Sequence, residues 1–347
     1  SFTRKSDAYR FAKTVDVDIS RGQFIDPQAG TQTLAEFADF WLSTRVWRQN
    51  SRRHAETHLR AHILPAFGTR PLASIRPSEI EAFKARLVRG GLAPATVEGI
   101  CRHLAAILKA AQRDQVIARN PAEGISFVIR SDRRSTAADR VAALTPAQLQ
   151  ALIAALPQYL RAFAWTQALA GLRPGEAMGL TIDRVDLTVA TLTVDRQLAA
   201  PGGPDRFAPP KTPSSVRTLH LADDLVAVLA EHLATYGTGP HGLIFRTRHD
   251  RPLRRSSMSD VWRAAATGLA DTDLALPPAA RGWHSLRHTF ASAHLEAGTP
   301  ITTVSRMLGH KTIAETSAVY SHMLTGSDHT RRNAAADVLR PRGPTPG

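Results

Sequence analysis

Apolar residues in the first third of the chain return every three or four positions. In TQTLAEFADFWL (residues 31–42), Leu34, Phe37 and Trp41 fall on one helical face, and Thr33 with Glu36 three residues later makes the capping box that opens a helix. The same period predicts helices over about 52–63, 77–89 and 94–115, separated by the breaker-bearing connections LPAFGTRPLASIRP and GGLAP. No alternating pattern competes, so residues 31–125 are expected to form a four-helix bundle. Ahead of it, residues 3–17 fit one short helix, ended by the breakers of SRGQFIDPQAG.

The stretch NPAEGISFVIRSDRRSTAADRVAALTP is mixed, basic and rich in small residues, and residues 126–143 read as an interdomain linker. Thr145, Pro146 and Gln148 then supply the cap, first-turn proline and capping-box partner of a new helix, and a second helix over about 158–170 should stop at Gly171. Here the period changes. ATLTVDRQL and SVRTLHL are short and β-branched, which predicts strands on either side of APPKTPS. Helices resume near 222–235, 257–268, 284–297, 301–308 and 313–322, with a last candidate at 328–338 before the tail RPRGPTPG, read as disordered. The expected fold is multidomain and mainly α: the bundle, the linker, then a mostly helical domain over 144–325 with a small antiparallel sheet, and a C-terminal helix and tail over 326–347.

Composition narrows the partners. With 347 residues, 43% of them hydrophobic, the chain can bury a substantial core. Lys and Arg number 44 against 30 Asp and Glu, and the net charge of +14 favours a polyanion, nucleic acid before an acidic protein or a membrane surface. Cys101 is the only cysteine, which excludes an intrachain disulfide and a Cys-based zinc site; its place in TVEGICRHLAAILKAA suggests a buried, inert thiol. No apolar run approaches the roughly 20 residues that span a bilayer, and SFTRKSDAYRF lacks a signal-peptide core. A cytoplasmic, DNA-associated protein is therefore expected. Ser1 stands where an initiating Met would, so the chain reads as starting inside a longer one or after processing.

Chemistry is suggested by charged residues placed where a core wants none. Arg173 sits at a helix break between ALAGL and PGEAMGL, with Glu176 three residues on to hold its guanidinium, or simply to pair with it structurally. In WHSLRH, His284 and Arg287 share a helix face, and an arginine fork beside an imidazole suits a phosphate. His284 and His288 are four apart and raise a metal site instead, but Arg287 would set a cation beside the ion and HSLRH lacks the glutamate of an HExxH motif, so His288, like His294, reads as a core or capping residue. His310 follows a Gly-terminated helix in MLGHKTIAETSAVYSHM, and Tyr320 ten residues later is either an amphipathic core residue or a phenol whose phenolate an Arg/His cluster would stabilise. Lys211 in PPKTPSS is an ordinary turn lysine or the donor of a proton to a leaving oxygen.

ALAGLRPGEAMGL, PPKTPSSVRTLHL, HSLRHTFASAHLEAG and MLGHKTIAETSAVYSHM, in that order, resemble the tyrosine recombinase (phage integrase) family over about residues 144–323. RGQFIDPQAGTQTLAEFADFWL resembles the start of the core-binding domain in integrases of actinobacterial phages and integrative elements, and residues 1–17 resemble the helix of an arm-site-binding domain, with residues 1–30 its partial remainder and linker. The resemblance implies that Arg173, Lys211, His284, Arg287 and His310 form a basic pocket supported by Glu176, and that Tyr320 is the nucleophile. It further implies site-specific strand exchange through a 3′-phosphotyrosine and a Holliday junction. His284 is then the acid/base partner of the tyrosine proton, and neither cofactor nor metal takes part.

The implied partners are double-stranded attachment-site DNA, three further copies in a homotetramer, an excisionase and a host DNA-bending protein, with no membrane. Arg102, Lys109 and Arg113 on the last bundle helix, and Arg133 and Arg134 in the linker, are candidate DNA contacts. Rival readings are a type IB topoisomerase, which rejoins the same strand, a binding-only regulator with a spent site, a metal hydrolase and a binder of acidic proteins.

Overall fold

The computed structural model describes residues 4–6, 29–47, 49–129, 143–198, 207–210, 212–280 and 282–324. The chain divides into two compact units, Ser1–Arg133 and Arg134–Gly347. Most of the expected 3–17 helix, the middle of the linker and the candidate 328–338 helix lie outside the described residues.

In the first unit, α1 (Leu34–Thr44) opens on the expected box: Glu36 N–H donates to Thr33 Oγ1 at 3.3 Å, and Thr33 N–H to the Glu36 carboxylate at 2.9 Å. Two further orphan donors of that first turn, the N–H groups of Leu34 and Ala35, reach the carbonyls of Arg70 and Gly68. Helix α2 (Gln49–His58) does not stop before LPAF as the sequence suggested. It passes through a π turn (Leu59–Ile63) into α3 (Leu64–Phe67). Pro65 has no N–H to donate and its ring would collide with the carbonyl four residues back in a continuous α-helix, so the wider turn just before it takes up the change of register. Helices α4 (Pro77–Arg89) and α5 (Pro94–Arg113) complete the bundle. Its core brings Leu34, Phe37 and Trp41 together with Ile63, Phe83, Ile100 and Leu104. Cys101 is fully buried there, and burial pushes its thiol up to about 11, as an inert thiol requires.

The second unit starts with α6 (Pro146–Ala155), capped by Thr145 and Gln148 as expected, and α7 (Gln158–Ala170), ended by Gly171 at φ +63°. A short α8 (Pro174–Met178) follows. The strands are more broken than the sequence suggested. β1 (Val185–Asp186), β2 (Thr191–Val194) and β5 (Arg217–His220) form an antiparallel sheet in the order β1-β2-β5, with Leu192 opposite Leu219, while β3 (Gln197–Leu198) pairs with β4 (Phe207–Ala208). ATLTVDRQL splits at Asp195 and Arg196, where the chain leaves β5 as its partner and takes up β4; Asp195 there accepts from Arg184 and Arg196.

Helices α9 (Asp223–Tyr236) and α11 (His284–Glu296) pack on α7, and α10 (Arg255–Gly268) on α6, over a core that includes Phe163, Phe245, Trp262, Trp283 and Leu286. Finally α12 (Ile301–Leu308) and α13 (Ile313–Leu324) pack on α11. They enclose a satellite cluster of Phe290, Ala291, Leu295, Val304, Leu308 and Tyr320.

Candidate active site

Two helix C-termini build the floor of the site. The last carbonyls of a helix have no partner within it, and they sit at the negative end of its dipole, so cations are favoured there. Arg287 of α11 donates from Nη1 to the Gly171 carbonyl at 2.7 Å and from Nη2 to the Leu308 carbonyl at 2.6 Å, tying the end of α7 to the end of α12. Arg173 reaches the Gly309 carbonyl from Nη2 at 3.2 Å, and Arg217 of β5 reaches the Met307 carbonyl from Nε at 2.6 Å. Both terminal glycines adopt the left-handed conformation, Gly171 at φ +63° and Gly309 at φ +64°. A Cβ on Gly171 would lie 2.5 Å from the Phe290 ring, and one on Gly309 3.0 Å from the Ser215 Cα. Only glycine fits either turn without displacing a neighbour.

A buried carboxylate fixes the cations. Glu176 Oε1 accepts from Arg173 Nη1 at 2.7 Å, and its Oε2 accepts from the Arg173 backbone N–H and from Arg217 Nη2, each at 2.9 Å. Burial alone would raise the Glu176 pKa; Arg217 first, then Arg173 and Arg287, more than offset it and hold the carboxyl below its usual value. Arg287 is 2% exposed, and its pKa is lowered by burial first and by Arg173 next, yet a guanidinium at neutral pH keeps its charge. With two carbonyls bound, it still has Nε–H and one N–H on each terminal nitrogen to offer.

The imidazoles lie around this floor. His284 keeps an exposed face at the start of α11; partial burial first, then His288 and Arg287, lower its pKa. His310 is held at about 4 by burial and then by Arg287 and Arg173, and its Nδ1 lies 2.8 Å from Thr316 Oγ1. The sequence alone suggests a core or capping role for His288. The structure gives it a different neighbour: its Nδ1 lies 2.7 Å from the Tyr320 hydroxyl. His284, expected to be the tyrosine's partner, instead meets the His288 ring edge-on at 4.9 Å between centroids. Tyr320 is 1% exposed, and burial raises its phenol well above the usual value against the opposing pull of Arg287. His294, in the last turn of α11, has its Nδ1 3.3 Å from Thr299 Oγ1 and meets the Phe290 ring edge-on.

Arg173, Glu176, Arg287, His284, His310 and Tyr320, scattered over nearly 150 positions of the sequence, therefore lie in one neighbourhood of the second unit. Lys211, Arg133 and Arg134 lie outside the described residues. Arg102, Lys109 and Arg113 all occupy exposed positions on α5, where Arg102 pairs with Glu98 and Arg113 with Asp114, each within 3.0 Å. Sequence reasoning missed Arg217, Ser215 and His288. Arg217 carried a usable signal: it shares the inward strand face with buried Leu219, where a cation needs a partner. Ser215 is also buried, with its hydroxyl 3.3 Å from the Gly309 carbonyl.

Comparison with known proteins places this arrangement. The phage integrase family matches residues 142–326, and the phage integrase N-terminal SAM-like domain matches residues 33–88. This chain belongs to the phage integrase family. It is a tyrosine-type, site-specific DNA recombinase, built as a helical N-terminal domain and a mostly helical catalytic domain. An integrase of Streptomyces ambofaciens is 27% identical over 334 residues, covering 91% of this chain and 82% of the relative. The fold is similar to that of the Tn1549 transposon integrase in complex with a circular intermediate DNA, with a TM-score of 0.75 at 21% identity over 88% of this chain and 99% of that one. It is also similar to a lambda integrase tetramer bound to a Holliday junction, with a TM-score of 0.63 at 18% identity over 90% of this chain and 89% of that one. No described helix of this integrase is long and apolar enough to cross a membrane.

Proposed function

We propose that Tyr320 Oη attacks a phosphodiester of an attachment site, leaving a 3′-phosphotyrosine and a free 5′-hydroxyl, and that the hydroxyl of a partner strand reverses the step to pass through a Holliday junction. The observation that carries this reading is the placement of Tyr320: its hydroxyl is bonded to His288, the residue next to Arg287, whose guanidinium is fixed by the carbonyls of Gly171 and Leu308. A phenol is a poor nucleophile at neutral pH, and cations set in advance around a phosphoryl group neutralise the extra charge of its five-coordinate transition state.

In this reading Arg173 and Arg287 take the nonbridging oxygens, with Glu176 holding Arg173 in place. His310 adds a donor there, His284 carries protons at the exposed mouth, and Lys211 protonates the 5′ oxygen. One phosphoester replaces another, so no nucleotide drives the exchange, and the arginines supply the charge that metal ions bring to other phosphoryl transfers. The partners are double-stranded attachment DNA gripped in part through Arg102, Lys109, Arg113, Arg133 and Arg134, and three further copies around the junction. An excisionase and a host bending protein would set direction, all of this in the cytoplasm on DNA, where the element integrates or leaves.

Nicked suicide duplexes covering the termini of the element that carries the gene test the reading. The integrase should form a covalent adduct on them, and Tyr320→Phe should bind the same duplex with an unchanged Kd yet form none. An adduct of undiminished yield from the variant refutes the assignment. Relaxation of supercoils without joining of two duplexes would make the enzyme a topoisomerase instead.

A further inference from the structure

We infer that His288 is the group that orients the Tyr320 hydroxyl and receives its proton as the tyrosine attacks; the inference rests on Tyr320 being the nucleophile. The distance of 2.7 Å between Nδ1 and Oη is that of a strong hydrogen bond, and the rings meet at 5.9 Å and 57°. A phenol hydroxyl has one proton to donate, and giving it to Nδ1 requires the His288 tautomer that carries its own proton on Nε2. The Oη lone pairs are then turned away from the imidazole and free to form a bond.

The surroundings keep this acceptor available. Charged or titratable groups face His288 from four elements: His284 and Arg287 on α11, Tyr320 on α13, His310 after α12, and Arg255 of α10 across a cleft of about 350 Å³ that His284 and His288 also line. Burial first and Arg287 next hold the imidazole at about 4, so it is neutral at physiological pH and accepts rather than donates. A phosphodiester bound at the arginines adds a negative charge that makes the same imidazole more basic. Its proton affinity therefore rises when the phosphate arrives.

The step balances. The Oη–P bond forms as the P–O5′ bond breaks, the electron pair of the broken bond leaves with the 5′ oxygen, and that oxygen takes a proton from the leaving-group acid proposed above. The Oη proton passes to His288 Nδ1. On rejoining, a 5′-hydroxyl gives up its proton to the leaving-group base and attacks phosphorus, and the departing tyrosine oxygen takes its proton back from His288. His284, packed edge-on against His288, stays neutral while that proton is held, since two charged imidazoles in contact repel.

The test is single-turnover cleavage of the nicked suicide duplex from about pH 4 to 9 by the full chain and three variants, with folding checked by circular dichroism at each pH. His288→Ala should lower the cleavage rate by about 10²–10⁴-fold with little change in duplex Kd, lose the acid limb of the pH profile, and regain rate when imidazole is added. His288→Asn keeps an acceptor oxygen for Oη, so it should recover part of the rate but not the acid limb. A His288→Ala enzyme that cleaves within about threefold of wild type with the same profile overturns the inference, as does a His288→Asn enzyme with an unaltered acid limb. If Tyr320→Phe still forms the adduct, the nucleophile is misassigned; that failure is distinct from a failure of His288 alone.

Discussion

At the scale of residues, the site is a set of cations held by one carboxylate and several main-chain carbonyls. Arg217 is 6% exposed at its side chain and is held by Glu176 and the carbonyls of Met307 and Ser215. Arg217→Met should therefore strand the buried Glu176 beside a weakened network and destabilise the catalytic unit by about 3–5 kcal/mol, read as a lower urea midpoint. The pocket also predicts a pH dependence. His288 and His310 are held at about 4, below their unfolded value near 6.5, so the stability they contribute is full above pH 6.5 and is lost as the pH falls through about 4; Glu176, also depressed, keeps its contribution until the pH falls below the usual carboxylate range. Urea midpoints should hold steady from pH 8 to 7 and decline below about 6.5. A midpoint unchanged down to pH 4 would mean that these imidazoles are not buried neutral. Much of this set was legible in the sequence, because Arg173, Glu176, Arg287 and Tyr320 are charged or polar groups inside apolar stretches. His288 was not: a histidine next to Arg287 on a helix says nothing of which hydroxyl 32 residues away will meet it.

At the scale of elements, helix ends do the positioning. Local rules identified most of them: Thr33, Thr145 and Gly171 act at the caps where the sequence placed them. The two departures have causes that periodicity does not register, a proline absorbed by a π turn ahead of Pro65 and a strand that changes partner between Val194 and Gln197. Gly309 joins element to site, since its carbonyl receives Arg173 Nη2 and Ser215 Oγ while its φ of +64° excludes a side chain at little cost only to glycine. Gly309→Ala should cost about 1–2 kcal/mol in backbone strain and displace those partners, lowering cleavage about 10²-fold while duplex Kd stays near wild type. Equal cleavage by the variant would show that the end of α12 does not set the arginine.

At the scale of the whole molecule, the net charge of +14 sets how the integrase finds its substrate. Arg102, Lys109 and Arg113 recur at seven and four positions along α5 and so share one exposed stripe. Lys109→Ala should weaken attachment DNA and unrelated duplex alike and lower the slope of log K against log salt by about 1, measured by fluorescence anisotropy; an unchanged slope removes Lys109 from the interface. Charge by itself points only to a polyanion; the resemblance of four motifs, in order, to the tyrosine recombinase family carries the expectation of a DNA recombinase. The central claim is that this pocket makes one phenol a nucleophile toward DNA. Peptide mass spectrometry of the trapped, nuclease-trimmed adduct tests it most directly. The account predicts a nucleotide-sized mass on the peptide containing Tyr320 and on no other; the same mass on a different residue, or an uncharged link that survives without phosphate, would contradict it.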